Sequence, residues 1–233
     1  MMKIDEFADY APNGLQIEGT EDIHHILTSP SLSLMVIEKA LELGVQAILV
    51  HHGMFWKNDS RIVQGPYKSK LKKILSKNIN LYAYHLPLDF LFDFGNNAPV
   101  LSSLKMSNIK PFESIGYIGN FKKPMDSKKY SILLDKYYQT TGIHIPKTGE
   151  IKNVAIVSGN GVSYFQKAIE NGVDAFITGE SSEWVYNLAK ENNVAFSAMG
   201  HYKSECIGVK LLGEHLNKKF KIKVEFFTED NPF

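Results

Sequence analysis

The sequence has almost no cysteine, no long apolar run and almost no excess of charge. Its 233 residues include one cysteine, Cys206, which excludes an internal disulfide framework and a zinc site built from cysteines alone. No stretch approaches the roughly 18 consecutive apolar residues of a membrane span. The start, MMKIDEFADY, lacks the basic end and apolar core of a signal peptide. We therefore expect a cytoplasmic protein with no membrane partner.

The balance of charge limits the partners further. Lys and Arg total 26 against 25 Asp and Glu, which gives a net charge of +1. A general nucleic-acid binder would carry a basic excess or patch, so we expect none. A hydrophobic content of 44% allows a sizeable core, in one large domain or two small ones. The eight histidines remain as candidates for metal binding or acid–base chemistry.

An internal repeat organises the chain. ALELGVQAILV at residues 40–50 matches AIENGVDAFIT at residues 168–178 at five positions, with an offset of 128 residues. Each copy has the pattern of a helix, a glycine cap and a buried strand. Further apolar runs flank both copies, at residues 24–29, 79–85, 153–158 and 193–201. Each half is therefore predicted to be β-α-β-α-β with parallel strands.

These halves define the predicted architecture, an α/β fold of two pseudo-symmetric β-α-β-α-β lobes that face each other across a metal site. Residues 1–103 form the first lobe, residues 104–150 a crossover segment and residues 151–233 the second lobe. Within the crossover, residues 114–121 resemble an edge strand and residues 131–139 a short amphipathic helix.

The carboxyl ends of the predicted strands carry imidazole and carboxylate groups. Residues that follow these strands are His51, His52, His85, Asp89, Glu180, His201 and Glu205. Open α/β sheets bind ligands beyond the carboxyl ends of their strands, so we expect a cluster there. His201 and Glu205 share a face if a helix begins at His201. So many nitrogen and oxygen donors exceed the needs of one zinc ion and favour a pair of divalent ions that activates a water.

Several of these residues have an alternative interpretation. A loop aspartate such as Asp89 is more often a turn or cap residue, and Phe55 and Trp56 either stack on a nucleobase or pack between the lobes. Gly159-Asn160-Gly161 either opens an anion-binding helix or forms only a turn. Residues interpreted as structural or as surface groups without clustered partners are His24, His25, His144, Cys206 and His215.

Five motifs, in order and covering nearly the whole chain, carry a family resemblance. They are YAPNGLQIEG (10–19), ILVHHGMFWK (48–57), INLYAYHLPLDFLFDFGNN (79–97), VDAFITGESSE (173–183) and GHYKSE (200–205). Together they resemble the type-two GTP cyclohydrolase I family, also called NIF-three-like (Ngg-interacting-factor three), in its short bacterial form. Tyr202 stands where some relatives have a second histidine.

The resemblance implies a dinuclear metal centre between two α/β lobes and a homohexameric ring. The implied metal ligands are His51, His52, Asp89, His201 and Glu205, with His85 as a further ligand or a proton-transfer group. His85 and Glu205 are the expected catalytic residues, and two ions per chain of Zn, Mn, Fe or Mg the expected cofactors. The implied reaction hydrolyses GTP to 7,8-dihydroneopterin triphosphate and formate. The alternatives are another metal-dependent hydrolase, acting on a phosphoester, and a non-enzymatic ring-shaped metal-binding or interaction protein.

Overall fold

The computed structural model describes residues 2–233 and has a mixed α/β fold with two sheets, which confirms the predicted class. The chain divides into two compact units. The first comprises Met1–Leu88 and Gly208–Asp230, and the second comprises Asp89–Ile207 and Asn231–Phe233. Within the described chain, no helix combines the length and the apolar character that a membrane span requires.

The regular elements of the described residues are numbered in chain order. The strands are β1 (Gly14–Ile17), β2 (His25–Ser31), β3 (Ala47–His52), β4 (Asn80–Ala83), β5 (Ser107–Phe112), β6 (Gly116–Asp126), β7 (Ile143–Ile145), β8 (Glu150–Ile156), β9 (Ala175–Thr178), β10 (Ala195–Ala198) and β11 (Lys223–Phe226). The α-helices are α1 (Leu34–Leu43), α2 (Gly65–Ser76), α3 (Leu86–Asp89), α4 (Ala98–Ser103), α5 (Ser127–Tyr138), α6 (Phe165–Glu170), α7 (Val185–Asn192) and α8 (His201–Phe220).

The first unit is built around a sheet of order β1-β4-β3-β2-β11. Strands β2, β3, β4 and β11 are parallel, and β1 pairs antiparallel with β4 at the edge. Helix α1 begins after Ser33, whose hydroxyl accepts a hydrogen bond from the Val36 amide at 3.0 Å. Its apolar face, with Val36, Ile37 and Ala40 fully buried, contributes to the core of this unit.

The second unit repeats this arrangement in a sheet of order β5-β6-β8-β9-β10-β7. Strands β8, β9 and β10 are parallel and alternate with α6 and α7, as β2, β3 and β4 alternate with α1 and α2. The two glycines at equivalent repeat positions both adopt positive φ, 64° at Gly44 and 69° at Gly172. The predicted β-α-β-α-β repeat and its glycine turns are therefore present in both units.

The boundaries of the units differ from the predicted lobes at 1–103, 104–150 and 151–233. Strands β5, β6 and β7, from the predicted crossover, belong to the second sheet, and β11, from the predicted second lobe, pairs with β2 in the first. The predicted edge strand is the interior strand β6, which pairs antiparallel with β5 and β8. Its neighbouring residues Tyr117 and Ile118 are both buried, as expected for a strand that is covered on both faces.

Two expectations about isolated histidines also change. His144 lies in β7, where its Nδ1 is 2.9 Å from Ser197 Oγ and its Nε2 is 2.8 Å from Asp135 Oδ1. His25 begins β2 and pairs with Glu225 of the adjacent β11 at 2.9 Å. Ser197 and Glu225 therefore reach these histidines through the pairing of strands that are distant in the sequence.

Candidate metal centre

Three histidines of the first unit form one cluster. His51 and His52 end β3, and His85 follows β4 by two residues. Their ring centroids are 4.6 to 5.6 Å apart, and one nitrogen from each lies within 4.8 Å of the others. Because β3 and β4 are parallel neighbours, their carboxyl ends lie at one edge of the sheet. His51 is fully buried and His85 nearly so. Three positively charged rings at this separation would repel one another strongly, so the cluster suits neutral imidazoles.

Each imidazole of this cluster is oriented by a partner at Nδ1. His51 Nδ1 lies 2.8 Å from the Tyr84 carbonyl oxygen, His52 Nδ1 lies 2.9 Å from Ser31 Oγ, and His85 Nδ1 lies 2.8 Å from Asp9 Oδ1. A carbonyl oxygen and a carboxylate accept hydrogen bonds, so Nδ1 of His51 and His85 carries the proton and Nε2 presents a lone pair. Histidine metal ligands usually have this arrangement, with a hydrogen-bond acceptor at one ring nitrogen and a lone pair at the other.

Asp9 is a buried carboxylate that holds His85 in place. Besides His85 Nδ1, it accepts hydrogen bonds from Asn13 Nδ2 at 2.9 Å and from the Leu86 and Ala11 amides at 3.0 and 3.1 Å. Burial raises the pKa of Asp9, but the hydrogen bonds from His85 and Asn13 outweigh it and lower this pKa below its ordinary value. The carboxylate therefore stays charged and stabilises positive charge on His85.

The second unit carries the other predicted ligands. Asp89 ends the one-turn helix α3, which tolerates Pro87 because a proline in the first turn removes no helical hydrogen bond. Helix α8 begins at His201, which is the condition under which His201 and Glu205 share a face, and His201 Nε2 lies 3.0 Å from Glu205 Oε2. The carboxylates of Asp89 and Glu205 are both buried and have oxygens within 4.8 Å of each other. Two such charges in a medium of low dielectric constant require a cation beside them.

Hydrogen bonds position the Asp89 carboxylate. Asn96 Nδ2 and Ser158 Oγ both donate to its Oδ1, each at 2.8 Å. Asn97 and Ser158 are also linked, because the Ser158 amide donates to Asn97 Oδ1 at 2.8 Å. Asp89 is therefore held by the loop after α3 and by the end of β8, which excludes its interpretation as an ordinary exposed turn residue.

His201 lies between two carboxylates. Its Nδ1 is hydrogen-bonded to Glu180 at the end of β9, and its Nε2 faces Glu205. Burial lowers the pKa of His201, but the hydrogen bonds and negative charges of Glu205 and Glu180 outweigh burial and raise it to about 9. Without a metal ion, His201 is therefore protonated near pH 7 and supplies positive charge to the carboxylates.

Gly159 allows the loop after β8 to approach Glu205. Its φ is +58°, and a Cβ at this position would overlap the Glu205 carboxylate. The Gly159 amide donates to Ser204 Oγ, and its carbonyl accepts from the Gly179 amide, both at 2.9 Å. The Gly161 amide likewise donates to Thr178 Oγ1, so both glycine amides are used within the protein and Gly159-Asn160-Gly161 forms a packed turn.

Replacing Gly159 by alanine tests this close approach. We expect Gly159→Ala to lower the free energy of unfolding by about 2–4 kcal/mol, because backbone strain at positive φ and overlap with Glu205 add. Gly172→Ala is the matched control, since Gly172 also has positive φ but no atom within 4 Å of an added Cβ. Urea unfolding of both variants measures the difference, and an equal loss in the two would contradict the overlap.

Cys206 and the two aromatic residues after the histidine pair have distinct surroundings. The Cys206 thiol donates to the Tyr202 carbonyl oxygen at 3.2 Å, and burial raises its pKa to about 12, so it stays protonated. Phe55 packs against the core of the first unit, whereas the Trp56 ring contacts His85 and His52, with centroids 5.2 and 5.8 Å apart. Phe55 is therefore a packing residue, whereas the Trp56 ring lies beside the histidine cluster.

Comparison with known proteins places the chain in a family. The family Duf34/NIF3 (NGG1p interacting factor 3) matches residues 1–232. The chain belongs to the Duf34/NIF3 family. A Yersinia pestis relative named GTP cyclohydrolase 1 type 2 homolog is 40% identical, over 99% of this chain and 94% of the relative. A Haemophilus influenzae relative of the same name is also 40% identical, over 98% and 93%.

Solved structures agree with this Duf34/NIF3 membership. The protein ybgI, described as of unknown function, is 35% identical with a TM-score of 0.95, over 100% of this chain and 95% of ybgI. TTHA1606 from Thermus thermophilus is 27% identical with a TM-score of 0.91, over the same shares of the two chains. The Duf34/NIF3 fold therefore extends along the whole chain.

The donor groups of both units fit divalent metal ions. The first unit offers imidazole nitrogens, and the second offers an imidazole and two buried carboxylates, which suit ions such as Zn, Mn and Fe. The sequence analysis named all of these donors and grouped Glu180 with them, but it missed the outer partners Asp9 and Ser31 and the pairing of Glu180 with His201. Asp9 directly precedes the motif YAPNGLQIEG at residues 10–19, and this position was the sequence signal that pointed to it.

Proposed function

We propose that the protein is a divalent-metal hydrolase of the GTP cyclohydrolase I type, which converts GTP and water to 7,8-dihydroneopterin triphosphate and formate. The observation that supports this proposal is shared by four histidines. His51, His52, His85 and His201 each have a partner at Nδ1, so Nε2 would be the metal-binding nitrogen, and at His201 an ion would replace the proton between Nε2 and Glu205. The names of the curated relatives support the choice of GTP as the substrate.

The proposed ligands are His51, His52, Asp89, His201 and Glu205, and they hold two ions per chain. The number of donors supports two ions, because a single catalytic zinc uses about three protein ligands and keeps one open position. The carboxylates of Asp89 and Glu205 would supply negative charge to such ions beside the neutral imidazoles. Zn, Mn, Fe and Mg are all compatible with this mixture of nitrogen and oxygen.

His85 and Glu205 are the proposed proton-transfer groups. Bound divalent ions supply Lewis acidity, which polarises the substrate and lowers the pKa of water. His85 Nε2 accepts a proton, while the proton on Nδ1 stays in the hydrogen bond to Asp9. The charged Asp9 carboxylate stabilises the imidazolium that results. The Glu205 carboxylate would pass the proton that the attacking water loses to the imidazole-ring nitrogen of the substrate, as the bond between that nitrogen and carbon breaks. Trp56 covers one side of His85 and excludes water from it.

An assay with GTP tests the proposal. We expect protein loaded with Zn²⁺ or Mn²⁺ to release formate and to form a product that fluoresces as a pterin after oxidation. His52→Ala should abolish both signals, whereas His24→Ala, an exposed histidine of the same unit, should retain them. Phosphate release without formate would indicate a phosphoester hydrolase instead. If neither product forms with any of the four metals, the non-enzymatic alternative replaces the proposal.

The proposed assembly is the homohexameric ring that the family resemblance implies. Sedimentation velocity measures it directly, and a monomer or dimer at micromolar concentration would contradict it.

A further inference from the structure

A cavity of about 380 Å³ in the first unit lies beside the histidine cluster. Its wall is formed by the segment that contains Asp9 and Tyr10 and by the segment Phe55 to Lys57, which the Lys57 amide links through a 2.8 Å hydrogen bond to the Tyr10 carbonyl oxygen. This volume lies within the range of small-molecule sites. The function proposed above assigns no role to this cavity as a binding site.

Two aromatic rings connect the cavity to His85. Tyr10 and Trp56 contact each other with centroids 5.7 Å apart and planes inclined by 30°. Both rings also contact the His85 imidazole, at 5.1 and 5.2 Å between centroids. Because Tyr10 is 53% exposed although it packs against these two rings, it presents an aromatic surface to solvent next to a proposed catalytic residue. A planar ring can stack on that surface.

The cavity wall carries one exposed cation, Lys57, and one buried carboxylate, Asp9. Asp9 lines the cavity, but its carboxylate accepts hydrogen bonds from His85, Asn13 and two backbone amides. Lys57 is exposed, and within residues 2–233 its ammonium group forms no ion pair. Because the Asp9 carboxylate is turned towards its own hydrogen-bond donors, the cavity offers an aromatic surface and an exposed cation outside any ion pair, a combination that favours a planar ring with a negative group attached.

We infer that this cavity binds a planar heteroaromatic ring that bears phosphate groups, with the ring on Tyr10 and Trp56 and a phosphate at Lys57. The Tyr10 and Trp56 rings, which both contact His85, then link the bound ring to this proposed catalytic residue. The inference deepens the proposed function and rests on it for the identification of this ligand as the substrate.

Tryptophan fluorescence of metal-stripped protein tests the inference. The chain has two tryptophans, so a Trp184→Phe background leaves Trp56 as the single reporter. We expect GTP to quench this fluorescence saturably, and guanosine and inorganic triphosphate each to bind at least about tenfold more weakly. Tyr10→Ala should weaken GTP binding about tenfold through the lost stacking, and Lys57→Gln about tenfold through the lost contact with phosphate.

Matched variants distinguish this site from general effects. Tyr186→Ala removes another exposed tyrosine, and Lys72→Gln removes an exposed lysine of α2. Both should leave GTP binding unchanged. The titration is repeated with Mg²⁺-loaded protein. The inference is overturned if neither form shows a saturable quench, or if Tyr10→Ala and Lys57→Gln both leave the quench unchanged.

The inference and the proposed function can fail separately. Binding of GTP that depends on Tyr10 and Lys57, without formate release by metal-loaded protein, supports the cavity and contradicts the hydrolase. Formate release with a KM that neither substitution alters contradicts the cavity and supports the hydrolase.

Discussion

Replacing His51 by alanine is expected to lower the affinity of the metal-stripped protein for Zn²⁺ or Mn²⁺ by at least about a hundredfold. Loss of a residue that only hydrogen-bonds to a metal ligand lowers metal affinity by about 10–100-fold, and His51→Ala removes a proposed ligand itself. The effect should be large because His51 is fully buried, so water cannot easily replace the imidazole. Isothermal titration calorimetry measures the affinity, and circular dichroism checks that the variant is folded.

Two further variants give this prediction a scale. Ser31→Ala leaves every proposed ligand in place but removes the hydroxyl partner of His52 Nδ1, so its affinity should fall by about 10–100-fold. His24→Ala removes an exposed histidine and should bind metal like the wild-type protein. If His51→Ala and His24→Ala bind Zn²⁺ with equal affinity, the assignment of His51 as a ligand is wrong.

The affinity for Zn²⁺ should rise steeply with pH until about pH 9. A metal ion at His201 must displace the proton that Glu205 and Glu180 hold there, and the pKa of His201 is about 9 in the metal-free protein. Competition by this proton weakens binding roughly fiftyfold at pH 7 relative to pH 9. Titrations with chelator-buffered Zn²⁺ between these pH values measure the slope and the proton released.

The free energy of unfolding of the metal-free protein should fall as pH rises, whereas the affinity for Zn²⁺ should rise. The folded-state pKa of His201, about 9, lies above its ordinary value of 6.5. Protonated His201 therefore stabilises the fold fully below pH 6.5, and this contribution is lost as pH rises through 9. Glu180→Gln should move both pH dependences to lower pH, whereas Glu183→Gln, an exposed residue of the same loop, should not. Unchanged midpoints in Glu180→Gln would contradict this assignment of the proton.

The repeat made much of the fold predictable. Gly44 and Gly172 mark equivalent turns between a helix and a buried strand, and local residue patterns determine such units. The pattern could not assign the remaining strands, because pairing of β11 with β2 joins residues about 200 positions apart. The interior position of β6 was missed for the same reason, since an apolar run does not show how many neighbours it will have.

The proposed ligands were predictable because the carboxyl ends of parallel strands lie at the same edge of a sheet. His51, His52 and His85 follow parallel neighbouring strands, and His201 and Glu205 are separated by one helical turn, so their residue types and spacing suffice to group them within each unit. Among their outer partners, Asp9 shows no such pattern, whereas Glu180 does, because it follows β9, the parallel neighbour of the strand before His201. Asp9 is 76 residues from His85, and Glu180 is 21 residues from His201.

The sequence by itself therefore determined the α/β class, the repeat and the residue types that offer nitrogen and oxygen to a metal ion. Only the tertiary structure decided which nitrogen of each histidine is available, because that depends on hydrogen bonds to Tyr84, Ser31, Asp9 and Glu180. It also separated Phe55, in the core, from Trp56, beside His85. The physical reason is the same in both cases. Tautomers and exposure are set by the surroundings of a side chain, and those surroundings come from segments far apart in the chain.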